Sequence, residues 1–370
     1  MNEANNQFSR RDFLTGKSLV GDSQNGESNR TGIPHQVAQN RSQSYVEQYS
    51  RNAMACEFEI SLNLHQYRHA GQAVMDAFEL LSQLESQMTV YSNDSEVSEI
   101  NREAFDVPYT VERKLFRLFQ RAKKLHQQTG GAFDITSGQL FKLWGFFKRD
   151  GKVPQADDID RIISKIGSEH IILDPVEDTI RITQSGCEIN LGAIGKGFAL
   201  DRMGQIFQER KIDDFVIHGG QSSVLANGSS VPNQNESAKS SENPGWKIGV
   251  THPTLPGKRL GEVSLNNQAL GTSGTARQGF YFNGKRYGHI IDPRTGWPTN
   301  HFLSTTVVTS IAADADALAT AFFVMQLDEI FEYCSQNPDV GAILVAPDSS
   351  AKGKIKIHTA NLNGGWLPED

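Results

Sequence analysis

Cysteine is scarce in this chain: three in 370 residues, Cys56, Cys187 and Cys334, far apart and odd in number. That excludes a disulfide framework, and the spacing excludes a cysteine-based metal site. No apolar run approaches the ~18 residues that span a membrane as a helix. Excess positive charge is also missing. Thirty-six Lys and Arg stand against 43 Asp and Glu, a net charge of −7, whereas a nucleic-acid partner calls for a basic stripe. There is no P-loop: Asn190 stands where its first glycine belongs, and Gly197 replaces the Ser or Thr after Gly195-Lys196. A G-x-G-x-x-G dinucleotide fingerprint and an internal repeat are absent too. What remains is 38% hydrophobic residues with charges of both signs, the make-up of a soluble globular protein with ample length for a core.

The first 45 residues are polar and contain Ser9-Arg10-Arg11-Asp12-Phe13-Leu14, which resembles a twin-arginine export signal. Such a signal needs an apolar stretch of roughly 7–15 residues, but Thr15-Gly16-Lys17-Ser18 follows. Residues 1–45 therefore read as a disordered arm with a vestigial motif. The missing apolar stretch favours the cytoplasm over export. Residues 228–243, rich in Ser, Asn, Gln and Glu, read as a flexible insert. One domain is expected over 46–360, with 361–370 as a tail.

The stretch Thr272–Thr320 organises the chain. Tyr281–Phe282 and Lys285–Ile291 flank Asn283-Gly284, the strongest short signal for a two-residue hairpin. The second strand is expected to end in His289, Asp292, Pro293 and Gly296, bringing a base, a carboxylate and a rigid turn together. Ser304–Thr309 reads as a strand feeding a helix near Asp314, on which Asp316 and Thr320, four apart, share a face. A carboxylate and a hydroxyl there are hard oxygen ligands of the kind Mg²⁺ takes. The plainer reading is that Asp314 and Asp316 cap the helix and that Thr320 bonds back to the carbonyl of residue 316.

Elsewhere, three- and four-residue steps of apolar residues predict helices over Ala70–Met88 and about Val111–Gln128. Ser95 is placed to cap a short turn. Short elements follow at Asp157–Ile166, Ile171–Asp174 and Thr179–Thr183. A second site-like stretch, Glu188–Gly197, ends a strand in a glycine-rich turn with a helix starting near Lys196. Backbone N–H groups, a positive dipole end and a lysine there suit a phosphate. Gly131–Gly138 is rich in glycine, and Phe133, Trp144 and Phe146 either cover a flat ring or are ordinary core. Strands at Phe215–His218, Trp246–Val250, Glu262–Leu265, Ala269–Thr272, Gly341–Ala346 and Lys354–His358, with Leu327–Gln336 helical, give an α+β class with a largely antiparallel sheet.

In order along the chain, Met54-Ala55-Cys56, Met88–Tyr91 with Ser95-Glu96 and Asn101, Gly131–Asp134, Asn190–Gly197, Gly219-Gly220, Gly271–Gly274, His289–Gly296 and Ala315–Thr320 resemble the ApbE family, the FAD:protein FMN transferases. The resemblance implies a single α+β catalytic domain and a Mg²⁺-dependent enzyme with FAD as substrate. It would move FMN onto a Thr or Ser hydroxyl of an acceptor flavoprotein and release AMP. It further implies that Met54, Tyr91, Ala132, Phe133, Asp134, Asn190, Lys196 and Ile291 contact FAD. The Ala193 carbonyl, Asp316 and Thr320 would hold the metal, and His289 would handle the proton. Family acceptors are typically subunits of membrane respiratory complexes, and many relatives are exported. The chain departs from the family pattern at Asn190, often Asp, and at Met-Ala-Cys, usually Met-Gly-Thr. Two alternatives use the same site: an FAD pyrophosphatase yielding FMN and AMP, and a flavin binder without turnover.

Overall fold

The computed structural model describes residues 46–369 apart from 64–65, 68, 149, 231–244, 276–278, 349, 351–352 and 363–364. The expected arm at 1–45 and most of the insert at 228–243 lie outside the described residues. In order the elements are β1 (Val46–Ala53), β2 (Cys56–Asn63), α1 (Ala70–Met88), α2 (Glu96–Glu103), β3 (Tyr109–Thr110), α3 (Arg113–Gln128), α4 (Gly138–Leu143) and α5 (Ala156–Ile163). Then come β4 (Ile171–Asp174), β5 (Thr179–Ile182), α6 (Gly195–Glu209), β6 (Phe215–Gly219), β7 (Ser223–Asn227), β8 (Trp246–Thr251), β9 (Arg259–Leu265) and β10 (Gln268–Gly274). The chain closes with β11 (Gly279–Phe282), β12 (Lys285–Gly288), β13 (Ser304–Thr309), α7 (Ala312–Val324), α8 (Leu327–Gln336), β14 (Gly341–Pro347), β15 (Ile355–Ala360) and β16 (Trp366–Pro368).

One antiparallel sheet of eight strands, ordered β1-β2-β6-β7-β10-β13-β14-β15, forms the middle layer. Helices cover one face. α1 buries Ala73, Val74, Ala77, Phe78, Leu81, Leu84 and Met88, and α3 buries Leu115, Phe116, Leu118, Phe119, Ala122 and Leu125. These are the three- and four-residue steps read from the sequence. A three-stranded sheet, β16-β9-β8, covers the other face. Trp246, Ile248, Val250 and Leu260 pack there against Val216, Val224, Leu270 and Ile343 of the main sheet. The strands at Trp246–Val250 and Glu262–Leu265 thus build a second layer rather than resuming the main sheet. The stretch read as a tail, 361–370, contributes β16, which pairs with β9.

α7 lies at the centre and is buried almost all round, so small residues dominate it. Two glycines let other backbones reach it: a Cβ on Gly271 of β10 would stand 2.3 Å from the Ala315 carbonyl oxygen, and one on Gly197 of α6 only 2.1 Å from that of Ala312. No real Cβ fits at such distances. The main strand–helix layer therefore closes only with glycine at both positions. Among the described residues, no helix is long and apolar enough to cross a membrane.

Candidate active site

α6 and α7 each give a carboxylate to the other's N-terminus. Asp201 of α6 accepts from the Ala312 and Ala313 backbone N–H groups at 2.8 and 2.9 Å. In return Asp316 of α7 accepts from Gly197 N–H at 3.2 Å. The helix expected near Asp314 thus begins two residues earlier and is capped from outside. Asp314 itself pairs with Arg121 of α3. Each exchange satisfies orphan backbone donors and sets an anion at a positive dipole end. The two helices are thereby locked in register. Burial is the main cause that lifts the Asp201 carboxyl to about 6, against the lowering effect of its two backbone donors and Arg121.

Asp316 is 5% exposed and fully engaged. Oδ1 accepts from Lys196 Nζ at 3.1 Å and Ser223 Oγ at 3.0 Å; Oδ2 accepts from Gly197 N at 3.2 Å and lies 3.3 Å from Lys196 Nζ. One turn on, Thr320 Oγ1 meets Ser273 Oγ at 3.0 Å and sits 3.4 Å from the Asp316 carbonyl. The expected back-bond is therefore present, but the shorter contact points to β10. Because Gly197 N–H turns to Asp316, no backbone N–H among the described residues donates to the Ala193 carbonyl. Asp316, Thr320 and that carbonyl are all hard oxygen donors. Among the described residues no three His, Cys, Asp or Glu side chains form a metal cluster. The donor set thus carries a single carboxylate, which suits a cation that keeps waters and takes substrate phosphate oxygens.

The turn before α6 is built by two asparagines. Asn101 clamps Ile189, donating to its carbonyl at 2.9 Å and accepting from its N–H at 2.7 Å. Asn190 Oδ1 accepts from Gly192 N–H at 2.8 Å, while Asn190 N–H donates to the Ile135 carbonyl at 2.7 Å. The side-chain oxygen that shapes this turn is one that Asp would also supply, so the departure from the family pattern leaves the turn intact. Ile135 ties the turn to the segment 131–137.

There Asp134 works as framework. Oδ1 accepts from Thr136 N–H and Oγ1 at 2.8 and 2.7 Å and from Ser168 Oγ at 2.9 Å; Oδ2 accepts from Ser168 N–H at 3.1 Å. His126 Nδ1 lies 3.1 Å from both Oδ2 and the Phe133 carbonyl. Burial alone pushes Asp134 up, yet His126 and the Thr136 bonds outweigh it and hold the carboxyl below its usual range. The Asp134 hydrogen bond in turn raises His126. Ala132 and Phe133 are buried, so the segment offers a ligand little side-chain surface. Trp144 and Phe146 are also core, packed with Ile159, Phe280 and Tyr287.

The other expected residues ring this centre. Met54 and Ala55 form the two-residue turn between β1 and β2, both left-handed, with φ of 49° and 59°. Met54 N–H donates to Glu85 Oε1 at 2.6 Å. A left-handed position of this kind favours glycine over Ala55. Cys56 faces Gly220, where a Cβ would meet Sγ at 3.1 Å, so the turn abuts the loop leading to Ser223. Tyr91 is 72% exposed and stacks on Phe147, ring centroids 4.7 Å apart at 22°. Phe147, half-buried and next to Phe146, carried no sequence signal, because nothing in the chain separates it from an ordinary packing aromatic.

His289 stands just past β12, which ends at Gly288, three residues short of the expected Lys285–Ile291 strand. It enters a loop held at several points: Ile291 bridges Pro298, Gly296 N–H donates to the Asp292 carbonyl at 2.7 Å, and Thr299 Oγ1 donates to the Phe323 carbonyl of α7 at 3.2 Å. Asp292 takes Arg294 bidentately, Oδ1 to Nε at 2.9 Å and Oδ2 to Nη2 at 3.0 Å. The carboxylate beside His289 is therefore a brace. His289 and Ile291 are both partly exposed.

A model of the ApbE family matches residues 54–344. The FAD:protein FMN transferase of Klebsiella pneumoniae is 31% identical over 86% of this chain and 96% of its own. That of Treponema pallidum is 28% identical over 84% and 88%. The crystal structure of the ApbE protein of Thermotoga maritima superposes with a TM-score of 0.72 at 25% identity, covering 84% of this chain and 96% of that one.

Proposed function

The chain belongs to the ApbE family, and on that premise we propose that it transfers the FMN moiety of FAD to a hydroxyl of an acceptor flavoprotein, releasing AMP. The observation that carries this reading is the α6–α7 junction: a buried carboxylate, a hydroxyl and a lysine at a helix N-terminus, preceded by an Ala193 carbonyl that takes no backbone N–H among the described residues. Substrate phosphates suit that setting, because helix N–H groups and a lysine attract them. Phosphoryl transfer itself asks a protein mainly for positioning and charge neutralisation.

Asp316, Thr320 and the Ala193 carbonyl would hold Mg²⁺, whose contribution when bound is to neutralise charge on the pyrophosphate. Lys196 orients a phosphate oxygen. Tyr91, exposed and already stacked on an aromatic ring, suits the flat face of the isoalloxazine. Met54 and Ile291 supply apolar surface beside it, and Asn190 shapes the turn facing the phosphates. Asp134 acts indirectly, by holding Ala132 and Phe133 in place. His289 takes the proton from the attacking Thr or Ser hydroxyl. A subunit of a membrane respiratory complex is the class of acceptor this reading favours.

The test incubates the protein with FAD, Mg²⁺ and an acceptor flavoprotein and follows covalent flavin and AMP together. Covalent FMN equal to AMP supports transfer. AMP at the same rate without acceptor identifies a pyrophosphatase instead, and bound FAD without AMP identifies a binder.

A further inference from the structure

Resting on that reading, we infer that Lys196 occupies the metal's place on Asp316 until the cation arrives, and is then released to the substrate phosphate, so that metal binding arms the lysine. An ionised carboxylate offers about four lone-pair sites, and all four on Asp316 face donors: Lys196 Nζ and Ser223 Oγ on Oδ1, Gly197 N and again Lys196 Nζ on Oδ2. A divalent cation needs at least one of them. Gly197 N–H belongs to the first turn of α6, and Gly197 is packed so tightly that even a Cβ there would lie 2.1 Å from the Ala312 carbonyl oxygen, which leaves its backbone no room to turn away. The Ser223 hydroxyl is neutral and lies on a strand. Lys196 alone is both long enough to swing away and positively charged, so the cation repels it. Its side chain is 23% exposed against 7% for Asp316, so it has a path outward.

Two consequences follow. In the empty site the lysine neutralises a buried carboxylate that would otherwise be costly to leave uncompensated. It is also withheld from phosphate, so FAD arriving without metal meets a site whose cation is already paired. Metal and FAD then bind with positive coupling, part of which is carried by Lys196 and is reciprocal.

The test is calorimetric titration of the FAD-free protein with Mg²⁺ alone, comparing wild type with Lys196→Met. The variant keeps an unbranched, flexible side chain one atom shorter, without its charge. Mg²⁺ should bind more tightly in the variant, by about fivefold, the worth of one partly exposed ion pair. FAD affinity with Mg²⁺ present should fall. The gain should persist in about 0.5 M salt, since a direct contact is screened far less than a field from a distance. Unchanged or weaker Mg²⁺ binding in Lys196→Met overturns the inference, as does a gain that vanishes in high salt. Asp316→Asn is the control for the underlying reading: if it leaves wild-type Mg²⁺ binding unaltered, the metal site itself is wrong and the hand-over falls with it.

Discussion

Asp134 and Asp316 are both buried carboxylates with every oxygen engaged, yet the company they keep is different. Asp134 is held by backbone N–H groups, two hydroxyls and a half-buried histidine. Only the histidine has other partners within reach, the Phe133 carbonyl and Glu169. Asp316 is held by one helix N–H, one hydroxyl and a lysine with an outward path. A fixed set of partners makes a brace, and an exchangeable partner makes a site. Counting hydrogen bonds does not separate the two roles; asking which donor can leave does. In the sequence Asp134 reads as an FAD contact by family resemblance and Asp316 as a metal ligand or helix cap; the partners of each become visible only in the fold.

The comparison extends to His289, which sits on a loop anchored by Asp292, Gly296 and Thr299 but is itself partly exposed. If it belongs with the working groups, His289→Ala should lower transfer per folded molecule by about 10²–10⁴-fold with FAD affinity little changed. Near-normal turnover in stopped assays corrected for folded fraction would move it to the framework side. Asp134→Ala should behave in the opposite way. Removing one partner of a buried, hydrogen-bonded pair costs about 3–5 kcal/mol, to be read from denaturant unfolding, while Mg²⁺ affinity of the remaining folded protein stays near wild type. The depressed Asp134 carboxyl contributes stability above its ordinary pKa that is lost as pH falls through the folded value. The raised His126 contributes below its ordinary pKa and loses it as pH rises. The pair therefore supports the fold most strongly between about pH 4 and 6.5, and the cost of Asp134→Ala should be greatest in that window.

Asp201 sharpens the contrast from the other side. Its carboxyl is raised to about 6, so between about pH 4 and 6 the native state holds a proton that the unfolded state has released. Stability then falls as pH rises across that range, by on the order of 2–3 kcal/mol. In Asp201→Asn this slope should disappear, and calorimetric melts at several pH values would reveal it. A brace that is costly when ionised is retained for where it puts α7, and hence Asp316. The smallest expected effect is at the β1–β2 turn: Ala55→Gly should stabilise by about 1 kcal/mol, because a left-handed residue with a Cβ is strained. An unchanged melting temperature would remove that strain from the account.

Much of the fold was legible because its signals are local. The steps of α1 and α3, the Asn283-Gly284 hairpin with φ of 48° and 75°, and the Ser95 cap on Ser98 N–H at 3.1 Å each depend on a few neighbouring residues. The second sheet was not legible. β8 alternates buried and exposed residues as a strand of the main sheet with one face in solvent would, and nothing in that pattern names the sheet. At the site, Lys196, Asp316 and Thr320 each announced themselves, but the Lys196–Asp316 pair spans 120 residues of chain and the Ser273–Thr320 contact 47. The same is true of Asp201 reaching the N-terminus of α7: a cap supplied by another helix leaves no mark beside the helix it caps.

The most direct measurement is FMN transfer to an acceptor by Asp316→Ala, scored per folded molecule and titrated with Mg²⁺. Loss of transfer at every Mg²⁺ concentration, counted on the folded fraction alone because Asp316 also holds Gly197 N–H and Ser223, is the expected result. Transfer with ordinary Mg²⁺ dependence in that variant would contradict it, leaving Asp316 a helix cap like Asp201 and the chemistry somewhere else in the molecule.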